Sequence, residues 1–263
     1  MSSSILQGKG GCMKKMMIGV IFLYCTIAHP VIIIGHRGAS GYAPENTLTA
    51  FARAIECNVD MVECDVWKCA SGELVVFHDA KLERLTDGYG SVSSKTLDEL
   101  KKLVVLGYER IPTLTELFDF VDRRVKLYVE LKGADIAHDV LQLIEHYVEH
   151  KQWQYDDFLV ASFDHIQLRT IKNINSAIPV AALIYGIPMQ LGACAEDINA
   201  QVVCLDVEFI NQRFVDDIHN RGMLVYVYTV NDRDDFTRLI DYGVDGVVTD
   251  YPGYIGVFFA NNN

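Results

Sequence analysis

From residue 31 onward, short apolar runs rich in Val, Ile and Leu alternate with longer stretches whose apolar positions recur every three or four residues. The short runs predict buried strands and the longer stretches amphipathic helices. Their regular alternation predicts a parallel sheet with a helix on each crossover. Strands are expected near 31–35, 60–67, 126–131, 158–162, 179–184, 202–206, 223–229 and 246–249. Helices are expected over Leu48–Cys57, Leu114–Arg123, Ile136–His150, Ile166–Asn173, Asn211–Asn220 and Asp232–Tyr242, with a short piece near Pro188–Ala195. Gly222 and Gly243 follow two of these at helix-stop positions. Eight strands alternating with helices over 263 residues fit one α/β domain, a (β/α)8 TIM barrel.

One β-rich run, Leu74–His78, exceeds that count. It lies too close behind Trp67 for a parallel crossover, which needs a dozen or more residues. Ser71-Gly72 suits a tight two-residue turn, so the run is expected to return antiparallel as a β-hairpin extension after the second strand. Pairs whose numbers sum to 143 would then place His78 opposite Asp65. The stretch 79–113, with a short helix at Thr96–Leu103, is expected over the barrel mouth.

Residues two apart on a strand face the same way. Glu63 and Asp65 therefore point into the barrel together, as do Tyr128, Glu130 and Lys132 on the next barrel strand. Three inward carboxylates must protonate, pair with Arg37 and Lys132, or share a cation, because unpaired buried charge is costly. Hard oxygen ligands suit one divalent cation, Mg²⁺ or Ca²⁺. The first strand ends in His36-Arg37-Gly38, at the rim where barrel enzymes build their sites. His36 and His78 can divide proton transfer between nucleophile and leaving group, while Arg37 and Lys132 suit phosphate oxygens. Glu45 and Asn46 are expected to start the first helix, and Asn46 has two open roles, capping that helix or orienting a site residue. The remaining histidines, His29, His138, His146, His150, His165 and His219, fall on helices or loops and read as structural or surface groups.

Composition narrows the partners. With 35 acidic against 23 basic residues the formal charge is −12, which repels nucleic acid and anionic membrane surfaces. An anionic substrate must therefore be met by local cations. The seven cysteines show no CxxC pair and no zinc-like spacing, so buried thiols are expected. From Met13 two lysines, an apolar run and Ala28 resemble a secretory signal. Residues 1–28 are thus a signal peptide or an extension before a single domain over 29–263, and the protein is exported in the first case and cytoplasmic in the second. The apolar run is short for a bilayer span, so no stable membrane insertion is expected. Oligomeric state is not legible.

His36-Arg37-Gly38-Ala39 with Pro44-Glu45-Asn46-Thr47, then Glu63-Cys64-Asp65-Val66, His78-Asp79 and Glu130-Leu131-Lys132, resemble the glycerophosphodiester phosphodiesterase family in order and spacing. Leu82–Thr86, Ile111–Leu114, Ser162-Phe163 and Gly246–Pro252 extend the similarity over about 31–252. The resemblance implies a phospholipase C-like phosphodiesterase barrel that hydrolyses small glycerophosphodiesters to sn-glycerol 3-phosphate and an alcohol. Glu63, Asp65 and Glu130 would be its metal ligands, His36 and His78 its acid/base pair, and Arg37 and Lys132 its phosphate contacts. Tyr228-Thr229-Val230-Asn231 stands where many relatives carry a tryptophan, so Tyr228 would form an altered glycerol-pocket wall. The short 79–125 segment resembles the compact bacterial-type enzymes. Two alternatives remain. One is a phospholipase D-type activity on lysophospholipids or sphingolipids, which an apolar rim at the mouth would favour; the other is a non-catalytic barrel used for binding.

Overall fold

The computed structural model describes Met1 and residues 31–260. The signal-like stretch, Cys12, Cys25 and His29 lie outside the described residues. The strands are β1 (Ile32–Gly35), β2 (Met61–Lys68), β3 (Leu74–Val76), β4 (Lys126–Leu131), β5 (Phe158–Ser162), β6 (Val180–Ile184), β7 (Val202–Asp206), β8 (Leu224–Tyr228) and β9 (Gly246–Thr249). The helices are α1 (Leu48–Glu56), α2 (Leu97–Leu100), α3 (Leu114–Val121), α4 (Ala137–His150), α5 (His165–Ile174), α6 (Ala193–Glu196), α7 (Gln212–Asn220), α8 (Arg233–Tyr242) and α9 (Pro252–Ala260).

All strands except β3 pair in parallel, and β1 closes the ring by pairing with both β9 and β2. The result is a closed eight-stranded TIM barrel. Strand alternation divides its side chains into two layers. Ile34, Met61, Tyr128, Leu159, Leu183, Cys204 and Tyr226 fill the interior. Val62, Cys64, Val66, Val129 and Leu131 face outward, into the layer where Phe118, Tyr147, Trp153 and Phe158 pack ring on ring. Burying each such ring stabilises by about 2–3 kcal/mol.

The run Leu74–Val76 is antiparallel to β2, but in a different register from the one expected. Val66 faces Val76, Trp67 faces Val75 and Lys68 faces Leu74, so paired numbers sum to 142. Phe77, not His78, meets Asp65, through a Phe77 N–H to Asp65 carbonyl bond of 3.0 Å. The cause is the turn. Cys69 N–H donates to Glu73 O at 2.9 Å, leaving a three-residue loop, Ala70-Ser71-Gly72, with Gly72 at φ +105°. That positive φ favours glycine and absorbs the extra residue. His78 is then the first residue past the pairing, and its carbonyl accepts a 3.2 Å bond from Trp67 Nε1.

Three further differences concern element ends. Thr47 is the N-cap of α1, accepting from Ala50 N–H, so Asn46 is not. The short helix after Thr96 stops at Leu100, behind a capping box formed by Thr96 and Glu99. Helix α9, absent from the expected elements, begins at Pro252 and buries Ile255 against the outer layer. Its almost uniformly apolar sequence carries no helical periodicity to read. Leu82, Leu85, Leu100 and Ile111, from the segment after β3, form a separate apolar cluster with Val75 and Phe77.

Candidate active site

The register of β2 against β4 sets Asp65 beside Glu130, with Glu63 two residues back on the same face. Oxygens of Glu63, Asp65 and Glu130 lie within 4.8 Å of one another. The Arg37 backbone N–H donates to Glu63 Oε2 at 2.7 Å, whereas buried Glu63 Oε1 has no hydrogen-bond partner among the described residues. Asp65 Oδ2 accepts from Asn46 Nδ2 at 2.8 Å and stands 3.5 Å from Arg37 Nε. Lys132 Nζ reaches Glu130 Oε1 at 3.0 Å and Asp65 Oδ1 at 3.7 Å.

Two cations do not neutralise this cluster. Burial, reinforced by repulsion from Asp65 and Glu130, pushes the Glu63 carboxyl well above the usual carboxylate range. Burial and then Asp65 push Glu130 up to about 7. Lys132 is held above its ordinary value because Glu130 and Asp65 outweigh its desolvation. A hard divalent cation fits this donor set on two grounds: it would relieve the carboxylate repulsion, and Glu63 Oε1 is a buried acceptor with nothing to accept from.

Each rim histidine is backed by a carboxylate. His36 Nδ1 lies 2.6 Å from Asp250 Oδ1, and Asp250 also accepts from Ser40 Oγ at 2.7 Å and Asn231 Nδ2 at 2.6 Å. Burial works to raise the Asp250 pKa, but the hydrogen bond from His36 and then those from Ser40 and Asn231 hold it below the usual range. His78 Nδ1 lies 2.6 Å from Asp79 Oδ1, and His78 Nε2 lies 3.4 Å from Lys132 Nζ. Burial, helped by Arg37 and Lys132, lowers the His78 pKa despite Asp65. Asp79 is held at about 2, chiefly by the hydrogen bond from Arg84 and then by His78. A carboxylate at Nδ1 fixes ring orientation and leaves Nε2 for chemistry.

Arg37 Nη1 donates to Glu45 Oε1 at 2.7 Å. Its buried Nε has no hydrogen-bond partner among the described residues, only the charge contact with Asp65. A cavity opens here, lined by His36, Glu63, Glu130, Phe163, Cys204 and Tyr228 among others. Phe163 and Tyr228 meet edge to face at 6.2 Å, and the buried Tyr228 hydroxyl has no hydrogen-bond partner among the described residues.

All eight residues singled out in the sequence therefore converge. His36, Glu63, Glu130 and Tyr228 line the cavity, Arg37 and Lys132 make charge contacts with Asp65, and His78 reaches the cluster through Lys132. Asn46 orients Asp65, which decides between its two open roles. Sequence reasoning gave no role to Asp250, Asn231, Ser40, Asp79 or Arg84, and none beyond helix initiation to Glu45. Asp79 could have been found from its place beside His78. Asp250 lies 214 residues from His36, and no spacing rule joins them. His165 bonds Leu183 O and His219 bonds Asp245 Oδ2, and neither bond involves the carboxylate cluster.

The profile of the glycerophosphoryl diester phosphodiesterase family matches residues 36–254. A glycerophosphodiester phosphodiesterase of Caldanaerobacter subterraneus subsp. tengcongensis is 32% identical over 237 residues, covering 84% of this chain and 94% of that protein. One of Bacillus subtilis is 30% identical over 246 residues, covering 84% of each. A phosphodiesterase of Oleispira antarctica, solved in complex with the product sn-glycerol-3-phosphate, superposes with a TM-score of 0.80 at 31% identity, covering 88% of this chain and 96% of that one. Barrel, carboxylate cluster and sequence agree, and the chain belongs to the glycerophosphoryl diester phosphodiesterase family of enzymes.

Proposed function

We propose that this enzyme hydrolyses small glycerophosphodiesters to sn-glycerol 3-phosphate and an alcohol, with Glu63, Asp65 and Glu130 holding one divalent cation, Mg²⁺ or Ca²⁺. The observation that carries the reading is the pairing of that carboxylate cluster with two histidines whose Nδ1 atoms are each held by a carboxylate. When bound, the cation offsets phosphate charge that grows in the transition state.

The remaining chemistry belongs to the chain. Arg37 and Lys132 bind non-bridging phosphate oxygens, the first with its unpartnered Nε and the second as a point charge. One histidine takes the proton of the attacking hydroxyl as the new P–O bond forms; the attacker is water, or the substrate's own glycerol hydroxyl, in which case a cyclic phosphate forms and water then opens it to sn-glycerol 3-phosphate. The other gives a proton to the alkoxide as its P–O bond breaks. Phe163 and Tyr228 present aromatic faces to the glycerol carbons.

The test is glycerol 3-phosphate release from glycerophosphocholine, with and without chelator, for wild type and His78→Ala. Chelation abolishes release and His78→Ala lowers it by roughly 10²-fold or more. No release from wild type at any metal concentration would sink the reading, and activity that survives both chelation and Glu63→Ala would remove the metal from it.

One observation favours a second reading. Tyr185, Ile187 and Met189, just past β6, are exposed apolar side chains, and Phe163 at the mouth is too. Such a rim suits the acyl chain of a lysophospholipid cleaved in phospholipase D fashion. Release of choline from lysophosphatidylcholine faster than from glycerophosphocholine would select it.

A further inference from the structure

Among the described residues, Arg84 is the one cation that touches two of the carboxylates behind the site. Its Nη1 and Nη2 donate to Glu45 Oε2 and Oε1 at 2.9 and 2.8 Å, and its Nε and Nη2 donate to Asp79 Oδ2 and Oδ1 at 2.5 and 3.1 Å. Glu45 Oε1 is also the acceptor for Arg37 Nη1, and Asp79 Oδ1 is the partner of His78 Nδ1. An unbroken chain of charged hydrogen bonds, Arg37–Glu45–Arg84–Asp79–His78, therefore joins the arginine at the phosphate to the histidine that moves a proton. Its ends come from the β1 rim and from the hairpin return, two segments that no barrel pairing holds together.

We propose that Arg84 is a positioning residue that locks Arg37 and His78 into one geometry, so that phosphate binding and proton transfer depend on each other. This rests on the reading of Arg37 as a phosphate contact and of His78 as a proton-transfer group. The planar guanidinium is required because it offers donors to two carboxylates at once. Lysine supplies the charge without that fork. Without Arg84, Asp79 is left to orient His78 from a half-buried position with no second donor, and Glu45 holds Arg37 alone.

The experiment measures kcat and KM on glycerophosphocholine for Arg84→Gln, Arg84→Lys, Glu45→Gln, Asp79→Asn and the Glu45→Gln/Asp79→Asn double variant. The double variant is made in both the wild-type and Arg84→Gln backgrounds, and urea midpoints report folding. Outer residues of this kind alter activity by roughly 10- to 100-fold. Asp79→Asn lowers kcat on that scale and raises KM to a smaller extent, and Glu45→Gln raises KM on that scale and lowers kcat to a smaller extent, because each breaks the bridge that the other end depends on. Arg84→Gln does both, and Arg84→Lys does not restore either. With Arg84 present, the Glu45 and Asp79 substitutions together do less than the product of their separate effects; with Arg84→Gln they multiply independently.

Wild-type kcat and KM in Arg84→Gln would overturn the proposal, as would full recovery by lysine or independent multiplication with Arg84 in place. Should Arg84→Gln not fold, the Glu45/Asp79 cycle in the wild-type background decides alone. An inactive wild type or a fully active His78→Ala would refute the functional reading instead, a result separate from failure of the bridge in an active enzyme.

Discussion

Gly38 follows His36 and Arg37 at the β1 rim with φ +83°, where a Cβ would sit 2.6 Å from the backbone of Ala50 in α1. Both the left-handed backbone and the lack of space exclude a side chain, and the clash is with backbone that cannot swing aside. Gly38→Ala is expected to lower stability by about 2 kcal/mol or more, read as a shift in urea midpoint. Asp250 gives a second residue-scale prediction, with a pH signature. Its pKa is depressed in the folded state, so its contribution is present above the unfolded value near 3.8 and is lost as pH falls through the lower folded value. Asp250→Asn should cost about 2 kcal/mol at pH 7, the scale of hydrogen bonds to a charged group. Its gap from wild type should begin to narrow as urea midpoints are taken from pH 5 down toward pH 3, below the unfolded value. An unchanged gap across that range would mean that the Asp250 charge adds nothing to the fold.

Among the elements, Asn46 and Thr47 show how adjacent residues divide two duties. Thr47 Oγ1 caps α1, while Asn46 turns inward at φ +57° and holds Asp65 from both sides of its amide. Thr47→Ala should therefore cost about 1 kcal/mol and leave kcat near wild type. Asn46→Ala should cut kcat through a misplaced Asp65, even after correction for stability. The barrel itself was legible because each strand is a short apolar run and most of the runs are followed by an amphipathic stretch, and the two-residue period of β2 and β4 aims Glu63, Asp65 and Glu130 inward. Hairpin register was legible only to within one residue, since Ser71-Gly72 closes a two- or a three-residue loop equally well in sequence, and a single residue decides what faces Asp65. The groups behind the histidines were less legible still. Asp250 and Arg84 act through contacts between distant segments, and neither period nor spacing encodes such contacts.

At the scale of the whole molecule, the excess of negative charge and the carboxylate cluster make the same demand for a cation, and they can be separated. A chain of net charge −12 gains stability from any salt, because screening weakens its self-repulsion. A cation held by Glu63, Asp65 and Glu130 stabilises by a different route, since it binds the folded chain and not the unfolded one. At a concentration 100 times its dissociation constant that route is worth about 2.7 kcal/mol. Thermal unfolding with Mg²⁺ or Ca²⁺, against sodium chloride of matched ionic strength, should show the extra stabilisation in wild type. Glu63→Gln/Glu130→Gln keeps nearly all of the screening charge but loses two ligands, so it should respond to both salts alike. Removing those two charges also relieves the repulsion that burial makes costly, and the double variant should be the more stable protein when no divalent cation is present. A wild type that answers sodium and divalent cations equally would put the metal outside this cluster.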